Sequence, residues 1–302
     1  MKKAKVRTEV NCLCRDHRTG KLWVAVNSIW WGHDIQCSFN DGETWRKSSA
    51  GLEFAPERKL NLARVWKVVP DRESRPEVLW CGVDPGCLFR SDDGGKNWYE
   101  VAGLNQHPSR DKWMPGGGGL MVHAIVPDPW NEKRVYVGMS VAGCFRSDDD
   151  GASWHPFNKN VRADFQPKPF PEVGQCVHSM RMSPTKPGWL FQQNHCGVYR
   201  SKDSAENWID ISKGLPSRFG FPMAIHPHDP ETIYVVPEIG PEKRFVCDER
   251  LGIFRSRNGG KNWQRMTKGL PQKNVFTQVL RHAASADSCD PAGALTWKTF
   301  RF

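Results

Sequence analysis

The 302-residue chain has no apolar run approaching the ~18 residues of a membrane-spanning helix, and its start, MKKAKVRTEV, lacks the apolar stretch of a secretory signal. Both absences predict a cytoplasmic protein with no membrane partner. The ten cysteines include no C-x-x-C pair. Because Cys37, Cys144, Cys176 and Cys196 fall in or beside expected strands, they read as reduced, buried thiols acting as small apolar groups. Basic residues outnumber acidic ones by 43 to 33, yet no basic run gathers them. A solvated basic surface follows, compatible with an anionic small ligand but not with the charged stripe that nucleic-acid binding wants.

What is plentiful is Trp, and five of the fourteen recur in one phrase: SFNDGETW, SDDGGKNW, SDDDGASW, SKDSAENW and SRNGGKNW. The opening residues are Ser38, Ser91, Ser147, Ser201 and Ser256, spaced by 53, 56, 54 and 55 positions. A fixed period near 50 with strand-like neighbours predicts stacked four-stranded units in an all-β propeller. Apolar residues run up to each Ser, and Asp, Asn and Gly then turn the chain back as a hairpin. The closing Trp45, Trp98, Trp154, Trp208 and Trp263 are each expected to bury a large ring over that turn.

The phrase resembles the Asp-box, or BNR repeat, with Asp93, Asp149 and Asp203 at its Asp, Asn40 and Asn258 replacing it, and Ala205 where Gly is usual. The resemblance implies a structural role on outer hairpins, away from any ligand. No copy has the alternating carboxylates and final Glu of a calcium loop. AVNSIWWG, GLNQHP, VYVGMS, FQQNHCGVYRS, FGFP and DSCDPAG extend the resemblance to bacterial single-propeller proteins of the BNR-repeat group, labelled glycosyl-hydrolase-like or sialidase-like. It implies a fold and a label, without a reaction. Against that group the chain looks shortened at its C-terminus, and at its N-terminus as well. Blades are expected at about 10–60, 61–120, 121–175, 176–220 and 221–274, with a partial sixth at 275–302, from a six- or seven-bladed parent. An unclosed ring would expose strand edges and favour self-association.

Within each unit the box occupies the third-to-fourth strand hairpin, and a Pro-marked turn between the first two strands shares its face of the disc. Loops joining second to third strands, and each blade to the next, share the opposite face, the mouth where propeller ligands bind. Trp30, Trp31 and Trp113 lie there outside the repeat, and with His33, Asp34 and His195 they would suit a sugar ring. Counting back from the turn prolines places Arg64, His123, His178 and Phe221 at one register of the innermost strands. Facing the axis, they would form a ring able to hold an anion or a water chain.

No catalytic motif is visible. A sialidase needs a free Tyr nucleophile, but Tyr136, Tyr199 and Tyr234 occupy repeat positions and Tyr99 follows a box Trp. Among the mouth carboxylates Asp34, Asp84, Asp164, Glu238 and Asp248, the catalytic candidates are Asp34, Asp84 and Glu238. His33, His123, His178 and His195 show no ligand spacing, so neither metal nor cofactor is expected. The sequence therefore predicts a platform binding a glycan or protein at the mouth, the alternative being a glycoside hydrolase or lyase with a mouth carboxylate pair.

Overall fold

The computed structural model describes residues 9–28 and 30–287, plus the backbone strands Leu295–Trp297 and Phe300–Arg301. Most of the DSCDPAG phrase, and residues 288–294, 298–299 and 302 of the expected partial sixth blade, lie outside the described residues. Five antiparallel sheets follow one another, each ordered as its four strands occur in sequence. The first holds β1 (Glu9–Arg15), β2 (Leu22–Ser28), β3 (Gly32–Ser38) and β4 (Arg46–Lys47). The second holds β5 (Arg64–Pro70), β6 (Leu79–Asp84), β7 (Cys87–Ser91) and β8 (Tyr99–Glu100). The third comprises β9 (Met121–Pro127), β10 (Val135–Ser140), β11 (Gly143–Ser147) and β12 (His155–Pro156). The fourth comprises β13 (Val177–Met182), β14 (Leu190–Asn194), β15 (Gly197–Ser201) and β16 (Ile209–Asp210), and the fifth β17 (Gly220–Ile225), β18 (Ile233–Pro237), β19 (Ile253–Ser256) and β20 (Gln264–Met266). These are the blades of a β-propeller. Beyond them β21 (Thr277–Gln278) pairs with Phe300–Arg301, and β22 (Ala284–Ala286) pairs with Leu295–Trp297 and packs against β17.

The core lies between blades, not inside one. Trp23, Ile35 and Cys37 of the first blade pack with Leu79, Phe89 and Trp98 of the second. Tyr136 and Cys144 of the third pack with Leu190, Tyr199 and Trp208 of the fourth. A sheet covered on both faces carries continuous apolar runs, which is why LWCGV in β6 is buried throughout.

Each box turn is closed by its own polar atoms. Ser Oγ accepts the amide four residues on, from Gly42, Gly95, Gly151, Ala205 and Gly260, at 2.8–2.9 Å. The same hydroxyl donates to Asn40, Asp93, Asp149, Asp203 or Asn258, whose side-chain oxygen takes the amide of the residue before the Trp. Asn performs these bonds as well as Asp, because only the carbonyl oxygen is used. At Asp93 burial alone would raise the pKa, but hydrogen bonds from Asn97, Ser91 and Lys96 outweigh it and hold the carboxyl at about 2.

The residue before Ser reaches forward to the next turn: Arg90 donates to Asp150 O at 2.9 Å, Arg146 to Ser204 O at 2.7 Å and Arg200 to Gly259 O at 2.6 Å. The Trp reaches back, since Trp98, Trp208 and Trp263 donate Nε1–H to the carbonyls of Ser48, Phe157 and Ile211 in the preceding blade at 2.8–2.9 Å. Trp154 bonds within its own turn, to Gly151 O. These contacts correct the expectation that all five rings are core. Trp98, Trp154 and Trp208 are buried, Trp263 is half-buried, and Trp45 is 37% exposed against 3% for Trp98. The ring is covered by the blade before it, and among the described residues no blade precedes the first.

Candidate functional site

The strand order puts the β2–β3, β6–β7, β10–β11, β14–β15 and β18–β19 loops at one mouth, with the connections between blades. On the β2–β3 loop, Ser28 Oγ accepts the amides of both Trp30 and Trp31 at 3.2 Å. The backbone is thus pinned while the rings stand out, 75% and 78% exposed. Trp113, expected beside them, is buried instead. Its Nε1 donates to Ser109 Oγ at 3.0 Å and its ring meets Phe145 edge-on at 5.2 Å, so it fastens its own loop. Loop position did not imply exposure, because this loop is long enough to fold onto the third blade.

His33 and Asp34 lie in β3. His33 Nδ1 is 3.0 Å from Asn27 Oδ1, and Asp34 Oδ1 accepts the Ser49 hydroxyl, so this carboxylate is engaged by its own blade. Asp164 and Asp248 are exposed partners of Arg162 and Arg265. Asp84 closes β6 opposite Arg64, and burial raises its pKa while the charge of Arg64 partly offsets the rise. The segment Gly116–Gly119 passes directly over it. A Cβ at Gly119 would stand 2.3 Å from Asp84 Oδ2, and one at Gly117 3.1 Å from Arg244 Nη2. Backbone without side chains therefore runs between an acid and a guanidinium, a spacing sequence alone cannot show.

Glu238 is the most perturbed carboxyl of the site. It is buried, Oε1 accepts the Val279 amide at 2.9 Å, and Oε2 has no partner. Burial pushes its pKa up to about 7 against the opposing Val279 hydrogen bond and the charges of Arg244 and Arg281. A carboxyl poised near neutrality suits proton transfer.

The axial register brings side chains together as expected for two of its members. His178 stacks on Phe221 with ring centroids 4.5 Å apart and bonds Gly220 O through Nδ1 at 2.7 Å. His123 is buried with Nε2 3.3 Å from Ser140 Oγ. Burial, reinforced by the charge of Arg281, holds both rings well below the usual imidazole range, hence neutral. His195 closes on His178 edge-to-face at 5.7 Å. Cys176, His178 and His195 have their ligand-capable atoms within 4.8 Å of one another, a convergence that spacing along the chain does not show. The available signal was C-x-H at the entry to a strand. Arg244 and Arg281, over the Phe221 ring at 6.0 and 4.8 Å, were also missed, since neither sits at a repeat position.

No family model matches the chain. The oligoxyloglucan-reducing end-specific xyloglucanase of Emericella nidulans is 23% identical over 224 residues, covering 64% of this chain and 26% of that protein. The chain thus spans about a quarter of the length of the curated relatives it matches. Among solved structures, an ancestral GH74 enzyme superposes with a TM-score of 0.66 at 17% identity, over 93% of this chain and 33% of that one. YCF48 bound to D1 peptide superposes with a TM-score of 0.51 at 13% identity, over 96% and 75%. At these identities the structural likeness establishes the propeller.

Proposed function

We propose that this protein is glycoside-hydrolase-like and holds an oligosaccharide across the mouth, xyloglucan-type oligosaccharides being the substrate class. This favours the alternative reached from sequence over a platform without turnover. The observation that carries it is the match to a xyloglucanase over 224 residues. Two adjacent exposed indoles, Trp30 and Trp31, offer apolar faces for sugar rings on the face that carries Asp84 and Glu238. Burial raises the pKa of both carboxyls, the state a general acid needs. Asp34, bound to Ser49, is the weaker candidate.

The test is reducing-end release from xyloglucan oligosaccharides by the wild type, Asp84→Asn and Glu238→Gln, with affinity electrophoresis on xyloglucan for Trp30→Ala and Trp31→Ala. Turnover lost in either acid variant, and retardation lost in the Trp variants, supports the reading. Neither turnover nor retardation in the wild type rejects it. A peptide at the same mouth is the second reading, favoured by the likeness to YCF48 with its D1 peptide, and saturable peptide binding without glycan binding would select it.

A further inference from the structure

One cluster at the mouth serves neither the blade repeat nor the glycan reading. Cys176 stands immediately before β13, His178 lies two positions on, and His195 occupies the turn between β14 and β15. The His195 amide donates to Cys176 O at 2.9 Å, setting those two residues opposite each other, and a register shift between Val177 and Ser179 brings His178 beside them. Cys176 and His178 are buried and His195 is half-buried.

Each side chain is prepared in a way packing alone does not require. Giving Nδ1–H to Gly220 O fixes the His178 tautomer and leaves the Nε2 lone pair for a ligand, the arrangement by which a backbone carbonyl orients a metal-binding imidazole. The His195 ring makes no hydrogen bond among the described residues and is positioned by edge contacts with Phe165 at 5.0 Å and Phe219 at 5.1 Å. Ser140, which lowers the pKa of the Cys176 thiol, lies 3.3 Å from His123 Nε2, so polar groups stand beside the sulfur. Phe165, Phe219 and Phe221 wall the cluster with apolar surface.

We propose that Cys176, His178 and His195 form a three-ligand site for a zinc-class divalent cation, with the fourth coordination position left open. One thiolate and two imidazoles are borderline-soft donors that select zinc or cobalt over calcium or magnesium. Bonds of about 2.0–2.3 Å put tetrahedral ligand atoms roughly 3.5 Å apart, so the cluster closes by about 1 Å on binding. Arg281 and Arg244 both act electrostatically on Cys176 and His178. Burial pushes the Cys176 thiol up to about 11, an effect these charges only partly offset, and they oppose the net positive charge that one thiolate leaves on a divalent ion. The fourth ligand that relieves this opposition is an anion, hydroxide or a carboxylate. The site does not depend on the glycan reading.

The test is Co²⁺ titration of the reduced, chelator-treated full chain. One equivalent should produce the visible absorption of tetrahedral cobalt and a thiolate-to-cobalt charge-transfer band, both abolished by added Zn²⁺. Cys176→Ser should lose the charge-transfer band, and His195→Ala should weaken Co²⁺ binding by more than roughly 100-fold, beyond an outer-layer change. Cys12→Ser, in a different buried thiol, should alter neither. Absence of the bands, their survival in both site variants, or their loss in Cys12→Ser overturns the proposal. His195→Ala removes a half-buried ring, so near-UV circular dichroism should show the native fold in that variant, and it decides the matter alone if Cys176→Ser does not fold.

Discussion

On the turn face five serines make the same bond to the same backbone position, 2.8–2.9 Å in every copy, while on the mouth face the corresponding loops share no residue type and run from two residues to fifteen. The turn face commits its side-chain oxygens to its own backbone and has little left for a ligand. At the mouth, Glu238 Oε2, His123 Nδ1 and Arg281 Nε are buried without partners. An unpaired buried polar atom costs roughly 1–3 kcal/mol, and the fold carries that cost on both faces, since Arg200 Nε and Arg255 Nε beside the turns also lack partners. What separates the two faces is chemistry, because the unpaired atoms at the mouth include a carboxyl and an imidazole, groups able to move a proton.

The sharpest way to break the comparison lies within the turn face. Trp98→Ala should cost about 3–5 kcal/mol in urea unfolding, because the ring and its bond to Ser48 O are buried between blades. Trp45→Ala, the same change in the same motif, should cost less than about 1 kcal/mol. Equal losses would mean that each turn, and not each interface, is the stabilising unit.

At the mouth the corresponding probe is pH. Glu238 binds its proton up to about pH 7 when folded, but only to the ordinary Glu value of 4.5 when unfolded. The folded state therefore holds more protons in that window, so stability falls as pH rises from 4.5 to 7 and levels off above it. The loss should reach roughly 3 kcal/mol, and Glu238→Gln should flatten this slope in melts run across the window. An unchanged slope in the variant would remove Glu238 as the poised group.

The smallest effect tests how far the turns are interchangeable. Ala205 holds φ at 73° where the other four copies have Gly, a conformation that costs an L-residue about 1–2 kcal/mol. Ala205→Gly should raise stability by about 1 kcal/mol in the same melts, and a loss would show that the methyl's packing against the third blade outweighs the strain.

The turns and blade order were legible because the same residues state them five times. Burial of the Trp rings was not, since Trp45 and Trp98 are identical in motif and differ only in what stands before them. Trp30 and Trp31 could be read as loop residues outside the repeat, and so could Trp113, but only contact with Phe145 and Ser109 separates a ring that faces water from one that does not. The cluster of Cys176, His178 and His195 was half-written as C-x-H; its third member arrives through strand pairing, which spacing along the chain does not encode.

Arg90 points forward and Trp98 backward, so the surface one blade offers is never the surface it receives. In symmetry terms the contact is heterologous, and such contacts close only where the rotation per step divides a full turn. The number of blades in a complete ring is then set by an interfacial angle fixed by these side chains, and not by the fold of any single blade. A substitution at this joint could alter the count without touching a strand.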